Sequence, residues 1–253
     1  LMADIMVFTD LDGSLMDHET YAFDEALPAL EALAQGDIPV IVVSSKTRAE
    51  IIPLVSQLKL TGPIIAENGA VIVFRDGTLD KACHINDIRE ALDSLPEKYR
   101  NAIKSFGDMS VTEISQLTGL DKAASARAAQ REASEPFIWS GGDEPDKNLL
   151  LDKGFQIIPG GRFYHIIPHR DKADAIKQVM AKTGKPDAEI WALGDGPNDL
   201  SMLLIAHKGA LIHNSNLQVR AQLPETHALY LTKHSGPAGW AEAIFTFLAG
   251  KKA

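Results

Sequence analysis

Four apolar runs of strand length, Ile5–Thr9, Pro39–Val43, Ile64–Ala66 and Ile190–Leu193, are apolar on both faces rather than on one. A strand of that kind must be covered on both sides, which is the situation of a parallel sheet sandwiched between helices. Helical spacing fills the gaps. Phe23–Leu33 is periodic and is closed by Gly36, and Asp171–Lys182 places Ala175, Ile176, Val179 and Met180 on one face. Thr47 and Glu50 have capping-box spacing, so a helix is expected just after the second strand, weakened further on by Pro53. Ala70–Phe74 followed by Asp76-Gly77 predicts a small hairpin arm. Towards the end, Ser201–Ala206 and Gly239–Leu248 are expected helices, and Ala210–Ile212 and Ala228–Leu231 expected strands. The fold class expected is α/β, with a doubly wound, Rossmann-like parallel sheet as core.

The middle of the chain breaks the alternation. Ile85–Leu95 and the alanine-rich Asp121–Glu132 predict helices, Ser110 and Glu113 a further capping box, and the stretch around Asp146–Lys153 another helix. Pro136–Trp139, Phe155–Ile158 and Phe163–Pro168 predict short strands. Residues 83–167 therefore form an expected inserted α+β cap, flanked by core segments 1–82 and 168–253.

Composition narrows the function classes. Hydrophobic residues make up 45% and charged residues 23%, the balance of a globular chain that buries a core. No apolar run approaches the roughly 20 residues that span a bilayer, and no secretory leader pattern is visible. Cys83 is the single cysteine, which excludes an internal disulfide, and the cytoplasm is the expected compartment. The net charge of −9, with no basic run, argues against nucleic acid as a partner, and nothing suggests a membrane partner. Oligomeric state is not legible.

The chemistry sits at strand ends. Asp10-Leu11-Asp12-Gly13-Ser14 follows the first strand, and two carboxylates two residues apart can act as nucleophile and general acid/base around one phosphoryl group. A plain Asp/Gly turn is the alternative for that motif alone. Gly194-Asp195-Gly196-Pro197-Asn198-Asp199 follows a second apolar strand, and in a parallel sheet both segments emerge on one edge. Converging carboxylates repel by about 4 kcal/mol per close pair at an effective dielectric near 20. A hard divalent cation such as Mg2+ relieves that repulsion. Asp199 has a second possible role as a helix N-cap. Ser44 ends the second strand, where its hydroxyl and the Ser45 amide can hold phosphate oxygens, and Lys172 opens the helix leading to Asp195.

These four pieces, in this order, resemble the haloacid dehalogenase-like phosphatase superfamily, and an insertion after the third strand resembles its large-cap (Cof-like) subclass. Finer matches, Ser44-Ser45-Lys46-Thr47-Arg48, Glu67-Asn68-Gly69-Ala70, Leu117–Leu120, Arg131–Phe137 and Gly160–His165, are similar to the mannosyl-3-phosphoglycerate phosphatase family. The chain departs in carrying Ser14 where threonine is commoner. The resemblance implies hydrolysis of a small anionic sugar phosphate, with Asp10 forming an aspartyl-phosphate and Asp12 as acid and base. It implies Mg2+ held by Asp10, the Asp12 carbonyl and Asp195, with Asp199 ligating it or orienting a ligand, and a phosphoryl group held by Ser44 and Lys172. Substrate contacts are expected from Gly13, Ser14, Ser45, Lys46, Glu67, Asn68, Gly69, Arg131, Glu132, Arg162, His165 and Asn198. Glucosyl-3-phosphoglycerate or a hexose phosphate as substrate, a phosphomutase, and a phospho-accepting signalling domain are the competing readings.

Overall fold

The computed structural model describes residues 4–214, 219, 222, 224 and 228–250. By internal packing the chain divides into two compact units, residues 1–44 with 172–253, and residues 45–171.

In the first unit, β1 (Ile5–Thr9) and β2 (Val40–Val43) are buried along their whole length, as strands covered on both faces must be. Together with β10 (Glu189–Gly194), β11 (Lys208–His213) and β12 (Leu229–Ser235) they form a parallel ladder in the order β12-β11-β10-β1-β2. From β1 the chain continues to β2 on one side, and β10 joins on the other. The ends of such oppositely wound neighbours open a crevice at the carboxyl edge. Thr9 lies level with Leu193 on β10 and with Val42 on β2, so the residues after all three strands emerge together.

Helices cover the sheet through the faces the periodicity marked. On α7 (Lys172–Lys182), Ala173, Ala175, Ile176, Val179 and Met180 are buried. On α9 (Gly236–Ala249), Trp240, Ala243, Ile244 and Phe247 face inward against β11, β12 and α1 (Leu27–Gln35). The Trp240 indole N–H donates to the Thr9 hydroxyl at 2.8 Å, which ties the closing helix to the end of β1. Among the described residues no helix is long and apolar enough to cross a membrane.

In the second unit, α2 (Arg48–Gln57) starts with the expected capping box of Thr47 and Glu50 and runs on through Pro53. The hairpin arm is present: β4 (Val71–Val73) pairs with β3 (Ile64–Ala66) and β5 (Leu79–Lys81), both antiparallel, and Gly77 turns the chain at φ +83°. A four-stranded antiparallel sheet follows, in the order β6 (Ile103–Ser105), β7 (Glu135–Trp139), β9 (Tyr164–Pro168), β8 (Phe155–Pro159). One face of that sheet packs Phe137, Ile157 and Ile166 against Ile88 and Leu92 of α3 (Ile85–Asp93). The expected cap, residues 83–167, lies inside this unit, which opens at residue 45, and α2 packs against α6 (Lys122–Ala128).

Two expectations are corrected, and one strand was not foreseen. Around Asp146–Lys153 only a 3-10 turn at Leu151–Lys153 forms. There the Asp146 carboxylate takes the Asn148 N–H at 2.9 Å and the Lys147 carbonyl takes the Ile157 N–H at 3.3 Å, which diverts the backbone from helical bonding. The helix expected over Asp121–Glu132 ends at Ala128, since the Glu132 and Ala133 N–H groups bond to Glu67. The strand β6 carries too short an apolar signal, Ile103-Lys104-Ser105, to be seen in the sequence.

Trp240→Ala removes a fully buried side chain and the indole bond to the Thr9 hydroxyl, which keeps its bond to the Asp10 carbonyl. It is expected to cost about 3–5 kcal/mol of unfolding free energy, measured by urea denaturation with m unchanged.

Candidate active site

Backbone geometry delivers the acidic residues. The Asp10 N–H bonds the Leu193 carbonyl at 2.9 Å, which prolongs the β1–β10 ladder by one step and fixes the nucleophile candidate at the sheet edge. The chain then folds back on itself, the Gly13 N–H reaching the Met16 carbonyl at 2.8 Å. Gly13 has φ +76°, and a Cβ there would stand 2.3 Å from the Asp195 Oδ2. Glycine is thus required twice at this position, for its left-handed backbone and for the approach of the Asp195 carboxylate. Gly194 is needed for a related reason, since its missing Cβ leaves room for the Asp199 carboxyl, 2.5 Å from where that atom would lie.

Lys172 holds the cluster together. Its ammonium is buried and donates to Asp10 Oδ1 at 3.1 Å, Asp199 Oδ1 at 2.6 Å and the Val43 carbonyl at 3.2 Å. Burial works against its charge, yet Asp10 and Asp199 outweigh burial, and its pKa is raised. The second oxygen of Asp199 accepts the N–H groups of Asp195 and Gly196, both at 3.0 Å. Asp199 thus accepts from a lysine and two amides, which links Lys172 to the Asp195 turn. Asp195 is partly buried and takes a bond from the Asn214 side chain at 2.8 Å. Asn214, just beyond the end of β11, is a site residue that the sequence reading passed over; its one signal is a polar amide directly after an apolar strand.

One oxygen from each of Asp10, Asp195 and Asp199 lies within 4.8 Å of the others. Burial raises the Asp10 carboxyl well above its usual range, with Asp199 adding to the rise, Lys172 opposing it, and Asp195 and Asp12 adding further. Burial, then Asp199, pushes Asp195 up to about 7, with Asn214 and Lys172 opposing. Hard oxygen donors whose ionised form is resisted by burial and by one another fit a divalent cation of the Mg2+ type, which favours the charged form. Asp10 and Asp195 are the side chains best suited to hold it.

The other expected residues of the first unit sit close by in sequence and fold. Ser44 and Ser14 are buried, and Asn198 is half-buried in the turn before α8 (Leu200–Leu204). Those of the second unit fall into two groups. Ser45, Lys46, Glu67, Arg131 and Glu132 lie in one network: Glu67 bonds the Glu132 N–H at 2.7 Å, and Arg131 donates to the Ser45 carbonyl at 3.2 Å. Asn68 and Gly69 continue the Glu67 turn, all three at positive φ. Arg162 is exposed and donates to the Thr118 carbonyl at 2.7 Å, while His165 is buried beside Gly160.

A doubly wound core with a carboxylate pair after one strand, a second acidic turn after its neighbour and a buried lysine between them defines an enzyme of phosphoryl transfer. The model of the haloacid dehalogenase-like hydrolases matches residues 7–138 and 159–238. The chain is 34% identical over 268 residues to the glucosyl-3-phosphoglycerate/mannosyl-3-phosphoglycerate phosphatase of Persephonella marina, covering 96% of this chain and 97% of that one. The fold is shared with the sucrose-phosphatase of Synechocystis sp. PCC6803, with a TM-score of 0.70, 16% identity and coverage of 97% and 98%. It is shared as well with a subclass IIB sugar phosphatase, with a TM-score of 0.72, 17% identity and coverage of 96% and 98%.

The chain belongs to the haloacid dehalogenase-like hydrolase family. As an enzyme it is a phosphoric monoester hydrolase, similar to the mannosyl-3-phosphoglycerate phosphatases.

The raised pKa of Asp195 makes a thermodynamic prediction. Its folded value of about 7 against 3.8 for the free side chain means that the metal-free folded chain binds an extra proton between those limits. Stability from this group is present below pH 4 and is lost as pH rises through about 7. In chelator, Asp195→Asn is therefore expected to gain in thermal midpoint over the unaltered protein between pH 5 and 8. Added Mg2+ is expected to narrow that gap by stabilising the unaltered protein alone.

Proposed function

We propose that this hydrolase is a magnesium-dependent phosphatase that converts mannosyl-3-phosphoglycerate to mannosylglycerate and phosphate through an aspartyl-phosphate on Asp10. The observation that carries the reading is the Asp10 carboxylate, bonded to Lys172 at 3.1 Å at the end of β1, with Asp12 two residues on and Asp195 beside Gly13.

Asp10 attacks phosphorus, and the bond from phosphorus to the glycerate oxygen breaks as Asp12 gives that oxygen a proton. Asp12, now ionised, then takes a proton from the water that attacks the aspartyl-phosphate, so Asp10 is regenerated and phosphate leaves. Mg2+, held by Asp10, the Asp12 carbonyl and Asp195, supplies neutralising charge when bound. Lys172 and the Ser44 hydroxyl hold the transferring oxygens, and the Ser45 amide adds a donor. Asp199 keeps Lys172 in place. This arrangement is electrostatic stabilisation and alignment, which is most of what phosphoryl transfer requires.

Substrate selection is assigned to residues 83–167 as a cap, with Arg162 and His165, and to the turn at Asn68 and Gly69 before it, these groups being assigned to sugar and glycerate, and Lys46, Gly13, Ser14 and Asn198 to the phosphate. The Persephonella marina relative carries both glycosyl phosphoglycerates in its name, which favours glucosyl-3-phosphoglycerate as a second substrate of the same site.

Phosphate release from mannosyl-3-phosphoglycerate is expected to need Mg2+ and to stop in chelator. In Asp10→Asn it is expected to fall by about three orders of magnitude or more. Release confined to simple hexose phosphates would sink the proposed substrate and leave the chemistry standing. Isomerised sugar phosphate in place of free phosphate would identify a mutase.

A further inference from the structure

The loop that leaves Ser44 is held by Glu67 and by a segment eighty or more positions later. The Arg131 guanidinium is buried and donates to the Ser45 carbonyl at 3.2 Å, to the Ser134 carbonyl at 3.3 Å and to the Ser134 hydroxyl at 2.5 Å. The Ser134 hydroxyl in turn donates to Glu67 Oε2 at 2.7 Å, and Arg131 stands 3.8 Å from that same oxygen. Glu67 is fully buried and also accepts the Glu132 and Ala133 N–H groups, at 2.7 and 3.0 Å, while its own N–H bonds the Lys46 carbonyl at 3.0 Å. Two consecutive carbonyls after Ser44 are thus pinned, one by Arg131 and the next by Glu67.

The backbone around Glu67 is strained to make this possible. Glu67 and Asn68 have φ of +51° and +58°, followed by Gly69 at +103°. Side-chain-bearing residues rarely adopt such angles, and they persist where surrounding bonds over-determine them. The same later segment grips the loop at two more points. The Thr47 hydroxyl bonds the Arg127 carbonyl at 2.9 Å, and Arg48 pairs with Glu132 at 2.9 Å. Three of the Arg131 N–H groups go to protein acceptors. A buried, hydrogen-bonded guanidinium of that kind is a structural brace rather than a hand held out for a ligand carboxylate.

We propose that Arg131 and Glu67, joined through Ser134, form a positioning clasp that sets the Ser45–Lys46 backbone and with it the phosphate-binding amide that follows Ser44. The clasp rests on the phosphatase reading above, and it moves Arg131, Glu67 and Glu132 from the role of substrate contacts to that of positioning residues.

The test compares two esters, mannosyl-3-phosphoglycerate and p-nitrophenyl phosphate, which has neither a sugar nor a carboxylate. In Arg131→Met, kcat is expected to fall about tenfold or more on both esters by the same factor with KM little changed, because a displaced phosphate donor weakens every transition state alike. Arg131→Lys, which keeps the cation and one bond, is expected to recover part of that loss. Ser134→Ala is expected to act in the same direction more weakly, and to add less than its full effect when combined with Arg131→Met. If Arg131→Met does not fold, as judged by circular dichroism, Ser134→Ala on both esters decides. A loss confined to KM for mannosyl-3-phosphoglycerate would overturn the clasp and make Arg131 a substrate ligand, and unchanged kinetics on both esters would overturn it outright. An unaltered enzyme active on p-nitrophenyl phosphate alone would refute the proposed substrate while leaving the clasp testable on that ester.

Discussion

A buried ammonium between two buried carboxylates is the interaction on which the catalytic edge depends. Lys172 meets Asp10 at 3.1 Å and Asp199 at 2.6 Å. Removing Lys172 would leave Asp10 and Asp199 buried without their shared cation, which is among the costliest defects a core can carry. The same contacts give the cluster its chemistry. One lysine does not neutralise three converging carboxylates, and the surplus negative charge is of the kind that fits a divalent cation. The Val43 carbonyl, third partner of the ammonium, ties this balance to the end of β2.

The density of that edge rests on what is missing as much as on what is present. Side chains at positions 13 and 194 would collide with Asp195 and Asp199, so two glycines allow two acidic turns to interlock. Trp240 does the equivalent job beneath: its indole caps the Thr9 hydroxyl at 2.8 Å, and the closing helix so holds the strand that bears Asp10. The site is accordingly built from strand ends, whose positions are set by a ladder of backbone bonds, rather than from free loops.

In the second unit the organising group is again a buried carboxylate, that of Glu67, but here it is satisfied by two backbone amides and a hydroxyl instead of a lysine. Its bonds halt the helix at Ala128 and hold a left-handed turn.

The parallel core, the hairpin arm, the capping box at Thr47 and the two acidic motifs were all legible in the residues, because strand burial, turn chemistry and motif spacing are local patterns. Asp10, Asp12 and Asp195 were named from strand ends, since a parallel sheet brings its carboxyl ends to one edge whatever its loops do, and Lys172 from the start of the helix that leads to Asp195. The failed helix at Asp146–Lys153 and the short β6 were not legible, because an Asx turn and pairing to distant strands outweighed propensity. Only the folded chain decided that Asp199 bonds Lys172 and the Asp195 turn, that Asn214 bonds Asp195, and that Arg131 and Glu67 grip the backbone after Ser44. Each of these joins residues far apart in sequence through a hydrogen bond of fixed direction, and such a bond leaves no periodicity or spacing to read before the chain has folded.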